Sequence, residues 1–265
     1  MKHTHRSIPR GLFMGLTILT GLVLAGCQAT PDAGQTITLD EMQQRGVSIA
    51  PSRVIRSTAG LSVHGRAIEY AQHGGGERVA LFIGGIHGEE PASARLIELF
   101  DANIAGEPRT IAGWTVIVLP RANPDGLLAG RRLNANGVDL NRNFPAANRD
   151  NRPRYGERGL SEPESRVIAK LIRQHRPSVI VSVHQPVNCV DYDGPAEAER
   201  IAHRMADAAD MRVSKLGTRP GSLGAWAGED LGIPIITYEL PGMATGMNDD
   251  RLWTTYGPAL FAALE

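Results

Sequence analysis

Cysteine is nearly absent from this chain of 265 residues, which has only Cys27 and Cys189. A disulfide framework is therefore excluded, and the fold must stand on its hydrophobic core. An excess of charge of either sign is also missing, with 28 Lys+Arg against 28 Asp+Glu. Without a basic face there is no electrostatic footprint for nucleic acid, so no nucleic-acid partner is expected. Long hydrophobic runs are scarce as well. The one extended apolar stretch, residues 11–24, is shorter than the roughly 20 residues an ordinary transmembrane helix needs. No internal repeat and no second domain can be found.

What is present at the N-terminus is a leader. Lys2, Arg6 and Arg10 precede the apolar stretch, and Leu24-Ala25-Gly26-Cys27 follows it. This looks like a bacterial lipobox, which implies removal of residues 1–26 and lipid attachment at Cys27. The expected location is that of an exported lipoprotein on the periplasmic side, held to a membrane through its lipid anchor. Gln28 after the cysteine favours the outer membrane. Loss of the leader leaves 239 residues carrying 25 basic and 28 acidic side chains, enough for one domain with a full core. Residues 27–54 read as a tether with room for a short helix over 35–48, and residues 55–265 as the catalytic domain.

Four apolar runs of strand length stand out: Val79 to Gly84, Trp114 to Leu119, Val179 to Val183, and Ile233 to Tyr238. Helical patterns separate them at 91–104, 162–175, 195–209 and 222–231. A last helix over 249–264 is expected to be disturbed by Gly257-Pro258. Alternation of this kind predicts a single-domain α/β fold, a mixed, mostly parallel sheet with helices on both faces and functional residues at the carboxyl ends of the strands. Residues 121–159 form a long irregular stretch, crowded with arginine and amide side chains, and read as a functional loop.

His87, Glu90, His184 and Glu239 all fall at strand ends, so they share one edge of the sheet. Two histidines and a carboxylate are the donor set of a catalytic zinc, leaving one tetrahedral position open, and a further carboxylate nearby can serve as general base. Lone histidines elsewhere, His64, His73, His175 and His203, read as core or surface residues. Cys189 reads as a small buried hydrophobe rather than a nucleophile, because no base is placed beside it.

These motifs resemble the zinc carboxypeptidase family, carboxypeptidase A-like, over about residues 55–265. The resemblance rests on His87-Gly-Glu-Glu90, Gly137-Val-Asp-Leu-Asn-Arg-Asn-Phe144, Ser161-Glu-Pro-Glu-Ser165, Ser182-Val-His184 and Thr237-Tyr-Glu-Leu240, in that order. The loops 121–126, 184–189 and 220–226 are similar to the murein peptide amidase branch. The resemblance implies a zinc carboxypeptidase-like (phosphorylase/hydrolase-like) fold, one Zn²⁺ per chain, and hydrolysis of an amide next to a free-carboxylate C-terminal residue. The implied substrate is a muropeptide, cut between γ-D-glutamate and meso-diaminopimelate. Carried over by motif, His87, Glu90 and His184 bind the metal, Glu239 is the base, and Arg132, with Arg131 as fallback, stabilises the oxyanion. Asn141 and Arg142 hold the substrate carboxylate. Asn188, Asp191 and Asp193 are expected near the second amino-acid head of diaminopimelate.

One departure is evident. The family's capping tyrosine has no counterpart in Lys215-Leu-Gly-Thr-Arg-Pro-Gly221, and Tyr238 should point away from Glu239 across the strand. Two other readings stay open: an acyl-amino-acid hydrolase of the aspartoacylase or succinylglutamate desuccinylase kind, and a lipoprotein that binds muropeptides without cutting them.

Overall fold

The computed structural model describes residues 54–265; the leader, Cys27 and the tether lie outside the described residues. Seven strands form one sheet: β1 (Ile55–Leu61), β2 (Ala67–Gly74), β3 (Arg78–Ile83), β4 (Trp114–Leu119), β5 (Val179–His184), β6 (Val187–Asp193) and β7 (Ile235–Pro241). Their order is β1-β2-β4-β3-β5-β7-β6. The four central strands, β4, β3, β5 and β7, are mutually parallel. The outer strands β2 and β6 each add antiparallel to this block, and β1 pairs antiparallel with β2. The parallel arrangement is thus confined to the strands buried on both faces, where near-continuous apolar runs are required.

Alternation along the strands divides the core. Ala80 and Phe82 of β3 face one layer, made by helices α1 (Pro91–Gly106), α4 (Ala196–Ala208) and α5 (Asp249–Ala262). Leu81 and Ile83 face the other, where α3 (Pro163–His175) and Trp226 pack with the irregular segment 121–159 through Leu140 and Phe144. A short helix α2 (Pro124–Ala129) interrupts that segment. The α-layer on the first face is sealed by Phe82 against Phe100, ring centroids 4.5 Å apart. Each such fully buried apolar side chain contributes roughly 1.5–3 kcal/mol relative to exposure.

Two sequence expectations change. The helix expected at 222–231 is a π-helix over Gly224–Asp230, with Leu231 N–H bonded to the Trp226 carbonyl five residues back. Gly224 to Gly228 is buried at every position, so this short stretch has no one-sided apolar period from which the winding could be read. Helix α5 passes through Pro258 unbroken. Proline removes one backbone bond there, but Leu252, Tyr256, Ala259 and Leu260 are buried in the core, and that packing holds the helix across the gap.

Candidate active site

Strand β3 ends at Ile83, and the chain turns through Gly85 at φ 64° into His87. Gly88 is required where it stands: a Cβ there would lie 1.9 Å from the Gly126 carbonyl carbon at the start of α2. This close approach presses the His87 loop against the following segment. Pro91 opens α1, with Glu90 just before it making no side-chain cap. Gln185 Oε1 does the capping by accepting from Ala92 N–H at 3.1 Å, while Ser93 Oγ donates to the Glu90 carbonyl at 2.6 Å. The Glu90 carboxylate is therefore free to turn inward.

It meets two imidazoles there. Glu90 Oε1 is 2.7 Å from His87 Nδ1, Glu90 Oε2 is 2.9 Å from His184 Nδ1, and the two Nδ1 atoms are 3.2 Å apart. All three residues are buried, and their donor atoms lie within 4.8 Å of one another. The far sides of the rings are already engaged. His87 Nε2 is 3.1 Å from Asp139 Oδ1, and His184 Nε2 is 3.0 Å from Ser182 Oγ. An N–H donated outward at each Nε2 leaves a lone pair at each Nδ1, so three acceptors converge on one point and repel unless a cation sits among them. The residues fit a zinc ion with two nitrogen ligands and one oxygen ligand.

The electrostatics point the same way. Burial opposes charge on His87, yet hydrogen bonds to Asp139 and Glu90 raise its pKa above the usual imidazole value. Burial also works against Glu90, but His184 and His87 bring its carboxyl down to about 2. Asp139 is held well below the ordinary carboxylate range, in spite of burial, by His87 and then by Arg132 and Arg142. The centre stabilises positive charge.

Around it the sheet supplies the rest. Glu239 is the register partner of His184 across β5 and β7, so the two project to the same face. Its Oε2 accepts from Val187 N–H at 3.4 Å, and burial, with the charge of Glu90 adding to it, raises its carboxyl above the usual value. Tyr238 takes the opposite face, fully buried, and its hydroxyl donates to the Tyr256 carbonyl at 3.3 Å. Arg132, Asn141 and Arg142 line one cleft with His87, Glu90, His184 and Glu239, and the cavity measures about 240 Å³. Arg132 Nε donates to Asp139 Oδ2 at 3.1 Å, whereas Arg131 lines a neighbouring depression and not this cleft. Asn141 Oδ1 accepts from Leu223 N–H at 2.8 Å, leaving its amide NH₂ as the donor end. Cys189 is fully buried, and burial raises its thiol pKa.

Several contributors escape a reading of the sequence. Asp139 orients His87 and steadies Arg132 at once; its only signal is its place two residues before Asn141 in Gly137-Val-Asp-Leu-Asn-Arg. Ser182, on the same face of β5 as His184, backs the second ring. Gln185 donates its backbone N–H to Glu90 Oε2 at 3.2 Å and its side-chain NH₂ to Thr245 Oγ1 at 3.0 Å, tying the site to the segment after β7. Among the described residues lining the cleft there is no tyrosine; Leu216, Gly217, Thr218 and Arg219 occupy that rim.

Comparison with known proteins agrees with this geometry. The zinc carboxypeptidase family model matches residues 38–249. The chain is 34% identical over 183 residues to murein peptide amidase A of Escherichia coli strain K12, covering 62% of this chain and 72% of that protein. Among solved structures, the murein-tripeptide amidase of Escherichia coli O157 superposes with a TM-score of 0.62 at 26% identity, over 78% of this chain and 90% of that one. Bovine thrombin-activatable fibrinolysis inhibitor superposes with a TM-score of 0.69 at 19% identity, over 85% of this chain and 91% of that one, a likeness of fold.

Proposed function

The chain belongs to the zinc carboxypeptidase family, and we propose that it hydrolyses the amide bond before a free-carboxylate C-terminal residue of a murein peptide, between γ-D-glutamate and meso-diaminopimelate. The observation that carries this reading is the meeting, in one cleft, of the donor set His87, Glu90 and His184 with Glu239 and the Asn141–Arg142 pair. The murein substrate is supported by the amidases the chain is similar to.

Zinc held by the three donors would polarise the scissile carbonyl and acidify a water molecule. Each remaining part falls to a side chain. Arg142 binds the terminal carboxylate through its guanidinium, and the Asn141 NH₂ adds a donor, which fixes the leaving residue against the wall of the cleft. Arg132, steadied by Asp139, donates to the carbonyl oxygen as it gains negative charge. Glu239 takes a proton from the attacking water on a carboxylate oxygen while the water oxygen bonds to the carbonyl carbon. As the C–N bond breaks, that proton goes to the leaving nitrogen. The base is suited to this by its burial, which raises its proton affinity.

The test is product identification by mass spectrometry after zinc-loaded enzyme is incubated with L-Ala-γ-D-Glu-meso-diaminopimelate. Release of free diaminopimelate is expected. An intact tripeptide, or release of acetate or succinate from acylated amino acids instead, would overturn the reading.

Lipid attachment at Cys27 and residence on the periplasmic side of a membrane are part of the same proposal, supported by the leader pattern of residues 1–26. Buried acyl chains contribute about 0.8 kcal/mol per CH₂, so several chains anchor firmly. Cys27→Ser is expected to move the protein from the membrane fraction to the soluble one on fractionation. Native protein whose mass shows no acyl groups would contradict it.

A further inference from the structure

Arg131 stands next to the arginine that faces the metal donors, and its guanidinium has no ion-pair or hydrogen-bond partner among the described residues. Arg132 by contrast faces Glu89, Glu90 and Asp139. The backbone that carries the two is fixed at both ends. Gly130, left-handed at φ 59°, closes α2, and Arg131 N–H returns to the Gly126 carbonyl at 3.0 Å. Gly126 is the residue against which Gly88 of the metal loop packs. Three positions beyond Arg131, the buried Asn134 donates to Glu162 Oε2 at 2.7 Å and to Glu164 Oε2 at 3.0 Å. The unpaired guanidinium is therefore held on a rigid stretch beside the site.

It lines a second cavity, of about 440 Å³, together with Leu128, Leu133, His64 and Arg66. Arg132 borders this cavity and the cleft alike, whereas Arg142 borders the cleft and not the cavity. The cavity thus opens off the cleft at the end where a scissile carbonyl meets Arg132, away from the end where Asn141 and Arg142 take the leaving residue's carboxylate. The acyl part of a substrate, running from the metal in that direction, enters it. The surface it meets there is amphipathic. Leu128, 72% exposed, presents carbon, and Arg131 presents a cation without a counter-ion. Arg66 is neutralised by the buried Asp125, 2.5 Å from its Nη1, and the exposed His64 ring lies 3.9 Å from the same carboxylate. Arg131 is the guanidinium left over for a ligand.

We propose that Arg131 binds the free α-carboxylate of a γ-linked glutamyl residue on the acyl side of the scissile bond, with Leu128 against that residue's carbon chain. The proposal rests on the hydrolytic reading above and adds how the acyl linkage is recognised. A γ-linked glutamate gives its side-chain carbonyl to the scissile amide and keeps its α-carboxylate four carbon–carbon bonds away, about 5 Å when extended. Consecutive Cα atoms stand about 3.8 Å apart, so two neighbouring arginines, one at the carbonyl and one in the adjoining cavity, match that spacing. A guanidinium meets a carboxylate with two parallel N–H donors. A carboxamide in the same place would turn an NH₂ donor towards one of them, and an α-linked residue with an apolar side chain would bring no anion at all.

The test compares, with zinc-loaded enzyme, L-Ala-γ-D-Glu-meso-diaminopimelate and the same tripeptide with its glutamyl α-carboxylate converted to the carboxamide. Wild-type kcat/KM is expected to favour the acid by about three- to tenfold, as suits a charge pair at a partly exposed site. The preference should shrink as salt is raised. Arg131→Gln should bring the ratio close to one by slowing the acid more than the carboxamide, with zinc content unchanged, and Arg131→Lys should keep part of the preference. Arg131 is exposed, so both variants are expected to fold. Equal rates on the two peptides in the wild type, an Arg131→Gln protein that keeps the preference, or one that slows both peptides alike would overturn the proposal and leave the hydrolase standing. A wild type that cuts neither peptide overturns the hydrolytic reading and this proposal together.

Discussion

Glu239→Gln is expected to retain bound zinc and substrate affinity and to lose about 10²–10⁴-fold in kcat, the usual range for a general base. The substitution is nearly isosteric, and its amide oxygen can still accept from Val187 N–H as the native Oε2 does. Glu239 is not one of the three converging donors, so the metal site keeps all of its ligands. What disappears is the ability to take a proton from water and deliver it to the leaving nitrogen. The carboxylate is well placed for both transfers, on the same face as its register partner His184 and within the cleft that holds Arg132 and Arg142. Steady-state kinetics beside a zinc determination on the same preparation checks this. Activity within a few-fold of wild type would assign the proton transfers to another group.

His184→Ala is expected to drop zinc below one ion per chain and to abolish turnover, because a site with three protein donors falls to two. The loss is compounded by what the imidazole leaves behind. Ser182 Oγ loses its partner at 3.0 Å in a buried setting, while Glu90 Oε2 keeps the Gln185 N–H at 3.2 Å. Such an orphaned group costs about 1–3 kcal/mol, so thermal unfolding should shift as well, and the variant must be shown to be folded before its metal content is read. Elemental analysis after gel filtration gives the ratio of metal to protein. Chelation should silence the wild type, added Zn²⁺ should restore it, and restoration should fail in the variant. A His184→Ala protein with full zinc occupancy would remove this residue from the centre.

The amino-acid sequence by itself determined the central sheet and the metal donors. The runs at 79–84, 114–119 and 179–183 are apolar at every position but Thr115 and Ser182 because both faces of a central strand are covered, and that makes them visible without a partner. His87, Glu90, His184 and Glu239 sit at strand ends, and chain connectivity alone brings strand ends to one edge. The hairpin β1–β2 and the strand β6 stayed hidden for the opposite reason. β1 and β2 bury one face only and alternate with polar residues, while β6 directs Val190 and Tyr192 to the core and, on its other face, Asp191 and Asp193 to the cleft. An inward face made of carboxylates has no hydrophobic period to detect.

Only the tertiary structure decided which polar groups meet. Asp139 reaches His87 across 52 positions of chain, and the Gly224 backbone packs beside Asp193, 31 positions earlier in the chain. It also placed Arg132 rather than Arg131 in the cleft, since neighbours in an irregular segment point in directions that no periodicity sets. Apolar burial is written locally, one residue at a time, as a preference to leave water. The pairing of charges is a property of distances between remote segments, and those exist only once the sheet has ordered its strands.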